Sequence, residues 1–426
     1  MAKLVDAYAS GAYVARYGSS SLPSGTMEKF RNKRDFLQVT KISFFGYTAY
    51  MNTKQPLKVR TWLEIDRNTM AKNYAVFRTM IKPETKLMAV VKSNAYGNEL
   101  IGFSKVMDEL GADMFGVDSI TEGIALREVG IVKPILVLGF TIPENVSIAS
   151  EKNISITLSS FDALNFLIKN KTPIKVHIKI DSGMHRQGFY PSHAEKLSDM
   201  LLKARHIKVE GIYTHFANAK NPRFSKDTDK QAKEFEKAVA VFKKKGFIFL
   251  KHTCATSGTI LFPKYHYDMV RVGIGLHGLW PSGEVKKASE SKIKLEPILS
   301  WKTVVSEVKT IKKGEGIGYD FSEVLKKNTQ VAICPIGYWH GYPRALSSVG
   351  YVLILGKRAR VLGRVAMDMI VVDITGIKDV QMGDEVSLIG KQGNEEVTAD
   401  ELAKLCKTSN YEVVTRINPK IQRIFV

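Results

Sequence analysis

Eight short apolar runs, each about the length of one β-strand, recur between residues 87 and 276, with amphipathic helical text filling most of the gaps. They lie at 87–91, 114–117, 135–138, 154–158, 174–180, 209–214, 248–250 and 269–276. A run that is apolar throughout, rather than at alternate positions, must be covered on both faces, as parallel strands beneath helices are. Eight repeats of strand and helix predict an α/β fold, a (β/α)8 barrel. Ser119 with Glu122 and Ser192 with Glu195 read as capping boxes opening two of the helices.

Upstream, an alternating strand through Val59, Thr61, Leu63 and Ile65 precedes a helix capped by Asp66, with Met70, Tyr74, Phe77 and Ile81 on one stripe. Downstream of Pro281 the text turns to short β runs punctuated by glycine, with one clear helix at 399–406. The domain expectation is therefore a barrel over 57–288 followed by a mostly antiparallel β domain over 289–426. Residues 1–56 lack periodicity and read as a disordered or non-native extension, Met51 being an alternative start; an organelle transit peptide is the other reading.

The net charge of +21 raises nucleic acid as a partner, but the basic residues are scattered and no binding motif accompanies them, so no specific nucleic acid is expected. Three distant cysteines, Cys254, Cys334 and Cys406, form neither a disulfide framework nor a metal motif. No stretch is apolar enough to span a membrane, and no metal is expected; a cytoplasmic enzyme fits.

Chemistry in such a barrel collects where strands end. The first exit reads Ala89-Val90-Val91-Lys92-Ser93-Asn94-Ala95-Tyr96-Gly97. A lysine at the edge of an apolar pocket has its ammonium disfavoured, which frees the amine to bond an aldehyde. Alone, Lys92 reads more often as a surface lysine with its stem lying on apolar neighbours.

The segment resembles the cofactor-anchoring motif of the alanine racemase family, and further exits resemble it in order: residues 179–186, 211–217, 255–258, 269–275 and, in the β domain, 316–320, 335–338 and 363–368. The resemblance covers the chain from about Arg60 onward. It implies pyridoxal 5'-phosphate held by Lys92, a phosphate site of Tyr96, Ser257 and the N–H groups of Gly273 and Ile274, and Arg271 at the pyridine nitrogen with His252 behind it. Arg186 would orient the substrate carboxylate, supported by Lys179, carbamylated in some members. His215 would bond the second base, Tyr319, which in the family enters from the partner subunit, so a homodimer with composite active sites is implied. Met367 and Tyr338 would line the substrate, and Arg344 and Arg364 its corridor.

Removing a proton from one face of Cα and returning it to the other needs two bases, here Lys92 and Tyr319. A tyrosine at its ordinary pKa is a poor base, so positive neighbours, His215 and Arg271 among them, are expected to favour its phenolate. The implied reaction interconverts L- and D-alanine, supplying D-alanine for peptidoglycan; the alternative is a broader-specificity or serine racemase. The sequence departs from the family pattern at Asn98-Glu99 after Gly97, at His185 and Thr256, and at Lys220 in place of an acid and Pro419 in place of an entry tyrosine; the alternative draws on the last two.

Overall fold

The computed structural model describes residues 58–426 and, upstream, strands Thr40–Phe44 and Tyr47–Met51 of an antiparallel hairpin. The hairpin belongs to a unit separate from Val59–Val426. Apart from its two strands, the expectation for residues 1–56 lies outside the described residues. No helix among the described residues is long and apolar enough to cross a membrane.

Eight parallel strands close into a barrel: Lys86–Val90, Met114–Val117, Ile135–Val137, Ser155–Leu158, Ile174–Lys179, Ile207–Tyr213, Leu250–Ala255 and Met269–Val272. Their outward side chains, such as Leu87, Phe115, Val176 and Ile212, join one core with the surrounding helices. The inward side chains divide. Met88, Val90, Met114, Leu136 and Met269 form a separate apolar cluster inside the barrel. The remaining buried positions include Thr157, His177, Lys179, Tyr213, His252 and Arg271.

The seventh strand is displaced from its predicted run at 248–250 to Leu250–Ala255, because its second half carries His252 and Thr253 and does not look apolar. The cap at Asp66 is made, its carboxylate accepting from Thr69 N–H, and Ser119 caps Ile120–Glu128. The second capping box is not: Pro191 starts a 3-10 turn, so the chain is already helical at Ser192 when Ala194–Lys203 begins.

The β domain is a ten-stranded sheet, antiparallel except where Gln422–Phe425 lies parallel to Thr61–Ile65. Thr61–Ile65, read from sequence as the start of the barrel region, pairs with Leu299–Val304 and so belongs to this sheet. Its alternating burial, buried at Thr61, Leu63 and Ile65, is that of a strand covered on one face. Trp301 and Tyr342, both fully buried, pack against each other beneath the sheet.

Candidate active site

A cavity of about 640 Å3 opens at the carboxyl ends of the barrel strands. Lys92, Tyr96, Lys179, Arg186, His215, Ser257, Arg271, Gly273 and Ile274 line it, so nine of the residues singled out in the sequence meet there. His252 sits directly behind Arg271. The lining carries five cationic side chains, Lys92, Lys179, Arg186, Lys220 and Arg271, against one carboxylate, Asp118.

Lys92 begins a tight turn in which Ser93, Asn94, Ala95 and Tyr96 all have φ between 49° and 57°. Four consecutive non-glycine residues in this left-handed region cost about 1–2 kcal/mol each, so the turn persists only if its surroundings hold it. They do so from three sides. Glu122 accepts from Asn94 N–H at 3.0 Å, Asn94 Oδ1 accepts from Leu100 N–H at 2.9 Å, and Arg423 donates twice to Gly97 O at 3.1 and 2.9 Å. Gly97 lies at φ 88° with Val414 O only 2.3 Å from where a Cβ would stand. Two departures from the family pattern also serve the turn: Asn98 bonds Ala95 O and His277, and Glu99 caps Leu100–Glu109 through Ile101 and Gly102 N–H. The turn aims the Lys92 amine into the cavity, where Asp118 Oδ1 lies 3.3 Å away.

Around Arg271, burial is nearly complete. Its guanidinium donates to Thr214 O at 2.8 Å and Thr253 O at 2.9 Å, faces His252 Nδ1 at 2.9 Å, and lies 5.2 Å from the Tyr213 ring centroid. Burial pulls its pKa down to about 10, which leaves it charged at neutral pH. His215 Nδ1 is 3.4 Å from the same guanidinium. Burial first, then the charges of Arg271, Arg186, Lys179 and Lys92, pull His215 down to about 3. His215 is therefore neutral, contrary to its sequence-based inclusion among positive neighbours of Tyr319, and the positive field comes from the arginines and lysines.

Lys179 is brought down to about 8 by burial, with Arg186, Arg271 and Lys92 adding to it. Its ammonium donates to Gln187 Oε1 at 3.1 Å, and Gln187 is held in turn by Ser159. Asp181 shapes the loop bearing Arg186 by accepting from Gly183, Met184 and His185 N–H at 2.9–3.0 Å.

At the far end, the Tyr96 hydroxyl packs where a side chain at Gly273 would stand, which is why that position has none. Burial pushes the Tyr96 phenol up, so it remains a donor. Gly273 N–H is met by Thr256 Oγ1 at 3.2 Å, a partner that the sequence reading did not assign. Tyr411, from the β domain, and Lys220 also line this cavity, the Lys220 ammonium lying 4.6 Å from the Tyr411 ring centroid. The remaining predicted residues are elsewhere in the chain. Tyr319, Tyr338, Met367, Arg344 and Arg364 do not line the cavity; Tyr319 is 70% exposed, and Arg364 pairs with Asp320 at 3.0 Å.

Residues 65–281 match the model of the alanine racemase N-terminal domain, and residues 298–425 match that of the alanine racemase C-terminal domain. The chain belongs to the alanine racemase family. It is therefore an isomerase acting on amino acids. It is 38% identical to an alanine racemase of Leptospira interrogans over 375 residues, 86% of this chain and 96% of that protein. It is 39% identical to alanine racemase 2 of Bacillus subtilis over 378 residues, 86% of this chain and 94% of that one. Among solved structures, the alanine racemase of Bacillus anthracis with bound L-Ala-P superposes with a TM-score of 0.83 at 34% identity, covering 87% of this chain and 96% of that one.

Asp118 and Gln187 in the cavity wall and His177 behind His252 were not singled out in the sequence. Only His177 left a signal. In the strand Ile174–Lys179 the outward positions are Ile174, Val176 and Ile178, while the inward ones, Lys175, His177 and Lys179, are all polar.

Proposed function

We propose that this chain racemises alanine with pyridoxal 5'-phosphate, using Lys92 and Tyr319 as bases on opposite faces of Cα. The observation carrying the reading is the meeting of Lys92 and Arg271 in one cavity with a strong cationic excess. That donor set fits a phosphorylated cofactor: an amine for its aldehyde, Ser257 and the Tyr96 hydroxyl for its phosphate, and a permanently charged arginine for its ring nitrogen. When bound, the cofactor withdraws electrons from Cα and acidifies its C–H bond.

The chain's own groups do the rest. Arg271 has only hydrogens to offer, so it keeps a facing ring nitrogen unprotonated and limits how far charge is drawn from Cα; return of the proton to Cα is favoured. Arg186 fixes the substrate carboxylate, and Lys179 supports Arg186. With its pKa near 8, Lys179 offers a reactive neutral fraction that suits carbamylation at neutral pH.

Tyr319 completes the site from a partner subunit. This is supported by exposed apolar side chains in three stretches of the β domain: Tyr319, Phe321 and Val324, then Tyr338 and Trp339, then Met367 and Met369. Met367, Tyr338, Arg344 and Arg364 then line the approach, and the enzyme is a homodimer with composite sites. Its proposed setting is the cytoplasm, and its product serves peptidoglycan. A broader substrate range is favoured by one observation, the cationic Lys220 at the cavity wall.

The test is incubation with L-alanine in deuterated water. Deuterium is expected at Cα together with accumulation of D-alanine, while Tyr319→Phe loses at least about a hundredfold in kcat and keeps its cofactor. Carbon dioxide release, or exchange without inversion, refutes the reading. A panel of other L-amino acids with chiral detection decides between alanine and a broader range.

A further inference from the structure

Barrel interiors are normally filled by branched aliphatic side chains, yet this one buries two histidines in contact. His177 and His252, 1% and 0% exposed, lie with His177 Nδ1 2.9 Å from His252 Nε2. The fold makes three accommodations for them. The pairing of Ile174–Lys179 with its neighbour shifts register between Val176 and His177, and that of Leu250–Ala255 shifts between His252 and Ala255. Such irregularities re-aim individual side chains. The third is Gly211, where a Cβ would stand 2.2 Å from His177 Nδ1.

The direction of every hydrogen in this column follows from its upper end. Arginine only donates, so His252 Nδ1, 2.9 Å from the Arg271 guanidinium, must be a bare acceptor. The hydrogen of neutral His252 is then on Nε2 and is given to His177 Nδ1. His177 in turn carries its hydrogen on Nε2. His177 also lines a groove at the barrel floor beside Glu210, Lys208 and Asp113, at the opposite end from the cavity. Any other arrangement sets two hydrogens, or none, between a pair of facing nitrogens.

We propose that His177 is a positioning residue for Arg271: by accepting the His252 Nε2 hydrogen it locks His252 in the one tautomer that receives the guanidinium. The proposal rests on the reading of Arg271 as the group facing the cofactor nitrogen. Without an acceptor at position 177, the His252 Nε2–H is buried and unpaired, so nothing holds the ring in this tautomer and orientation, and it turns toward another partner, withdrawing Nδ1 from the Arg271 donors. The guanidinium is then turned away from the plane it now holds.

Nitrogen-15 NMR of histidine-labelled, cofactor-free protein at pH 7.5 tests the column without any turnover. The expected result is hydrogen on Nε2 of both His252 and His177, with Nδ1 bare in each. His177→Asn places a carboxamide oxygen near the position of Nδ1 and preserves the acceptor; His177→Leu has similar bulk and no acceptor. The leucine variant is expected to lose about tenfold or more in kcat with KM within twofold, and the asparagine variant to stay within threefold of the parent. Hydrogen on His252 Nδ1 in the parent, or equal losses in the two variants, overturns the proposal. Should the leucine variant fail to fold, the tautomers of the parent still decide it. Failure of the parent to racemise any amino acid refutes the functional reading instead and leaves the NMR result standing.

Discussion

Acid is expected to unfold this protein by way of histidines that the fold keeps neutral. His177, His252 and His277 are at most 2% exposed, and burial holds them down to about 4, well below the ordinary value, and to about 3, respectively. In the unfolded chain each takes up a proton near pH 6.5. A base whose folded pKa is the lower one makes the unfolded chain bind more protons between the two values. Stability is therefore complete above about pH 6.5 and falls as the pH drops toward 4. At pH 5 each histidine forgoes about 2 kcal/mol of protonation free energy by staying folded, about 6 kcal/mol for the three. That compares with about 5–15 kcal/mol for the whole stability of a typical domain. His266 and His340 are shifted the same way and add to the loss. Carboxylates held low, such as Glu64, Glu210 and Glu323, act in the same direction in a lower window: their contribution is present above about 4.5 and is lost only below it. The interval from 6.5 to 5 thus belongs to the histidines. Urea unfolding of the cofactor-free protein at half-unit steps from pH 7.5 to 5 measures it, and the slope near pH 5 gives the number of protons taken up. An unfolding free energy constant to within about 1 kcal/mol over that range refutes the reasoning.

Gly97→Ala sets a Cβ against Val414 O in a left-handed turn and should cost about 2–4 kcal/mol, read as a lower Tm and weaker cofactor retention. Arg423→Leu removes the donor of Gly97 O, Asn418 O and Ile417 O; about 3 kcal/mol is expected, with a looser Lys92 turn seen as faster amide exchange at Ala95 and Gly97. Lys220→Glu replaces a cavity cation by an anion and should raise the Kd for pyridoxal phosphate about tenfold at low salt and less at high salt, measured by absorbance titration. Met369→Asp, a charge among the exposed apolar side chains of the β domain, should shift the protein toward monomer in sedimentation, with turnover falling in parallel.

What could be read in advance divides along physical lines. Short, largely apolar runs located seven of the barrel strands closely, because the outward face of each strand packs under helices and is apolar even where the inward face is polar. The alternation at Thr61–Ile65 announced burial on one face and thus the sheet rather than the barrel, although its place early in the chain hid that. Lys357–Leu362 leaves no apolar run to read, because Lys357 and Arg358 are exposed and only Ala359, Val361 and Leu362 are buried. Lys92 was legible from an apolar strand opening into a loop. Tyr319 was not: nothing in Gly-Ile-Gly-Tyr-Asp marks a base, and only the resemblance singled it out. It lies exposed on the β domain, away from the cavity, so no local pattern of burial points to it.

The division of the barrel interior shows why the chemistry sits where it does. The first strand contributes Met88 and Val90 to the apolar half and then releases Lys92 at its end, so the amine emerges from a wall that offers it no hydrogen-bond partner before Asp118. The fifth to seventh strands contribute Lys179, Tyr213 and His252 to the polar half, where a charged group can be buried only if each of its hydrogens is met. The eighth strand belongs to both, with Met269 in the apolar cluster and Arg271 two residues later among the carbonyls and histidines. A cofactor bridging Lys92 and Arg271 would thus span the seam between an apolar half and a polar half whose carbonyls and histidine meet the hydrogens of the guanidinium.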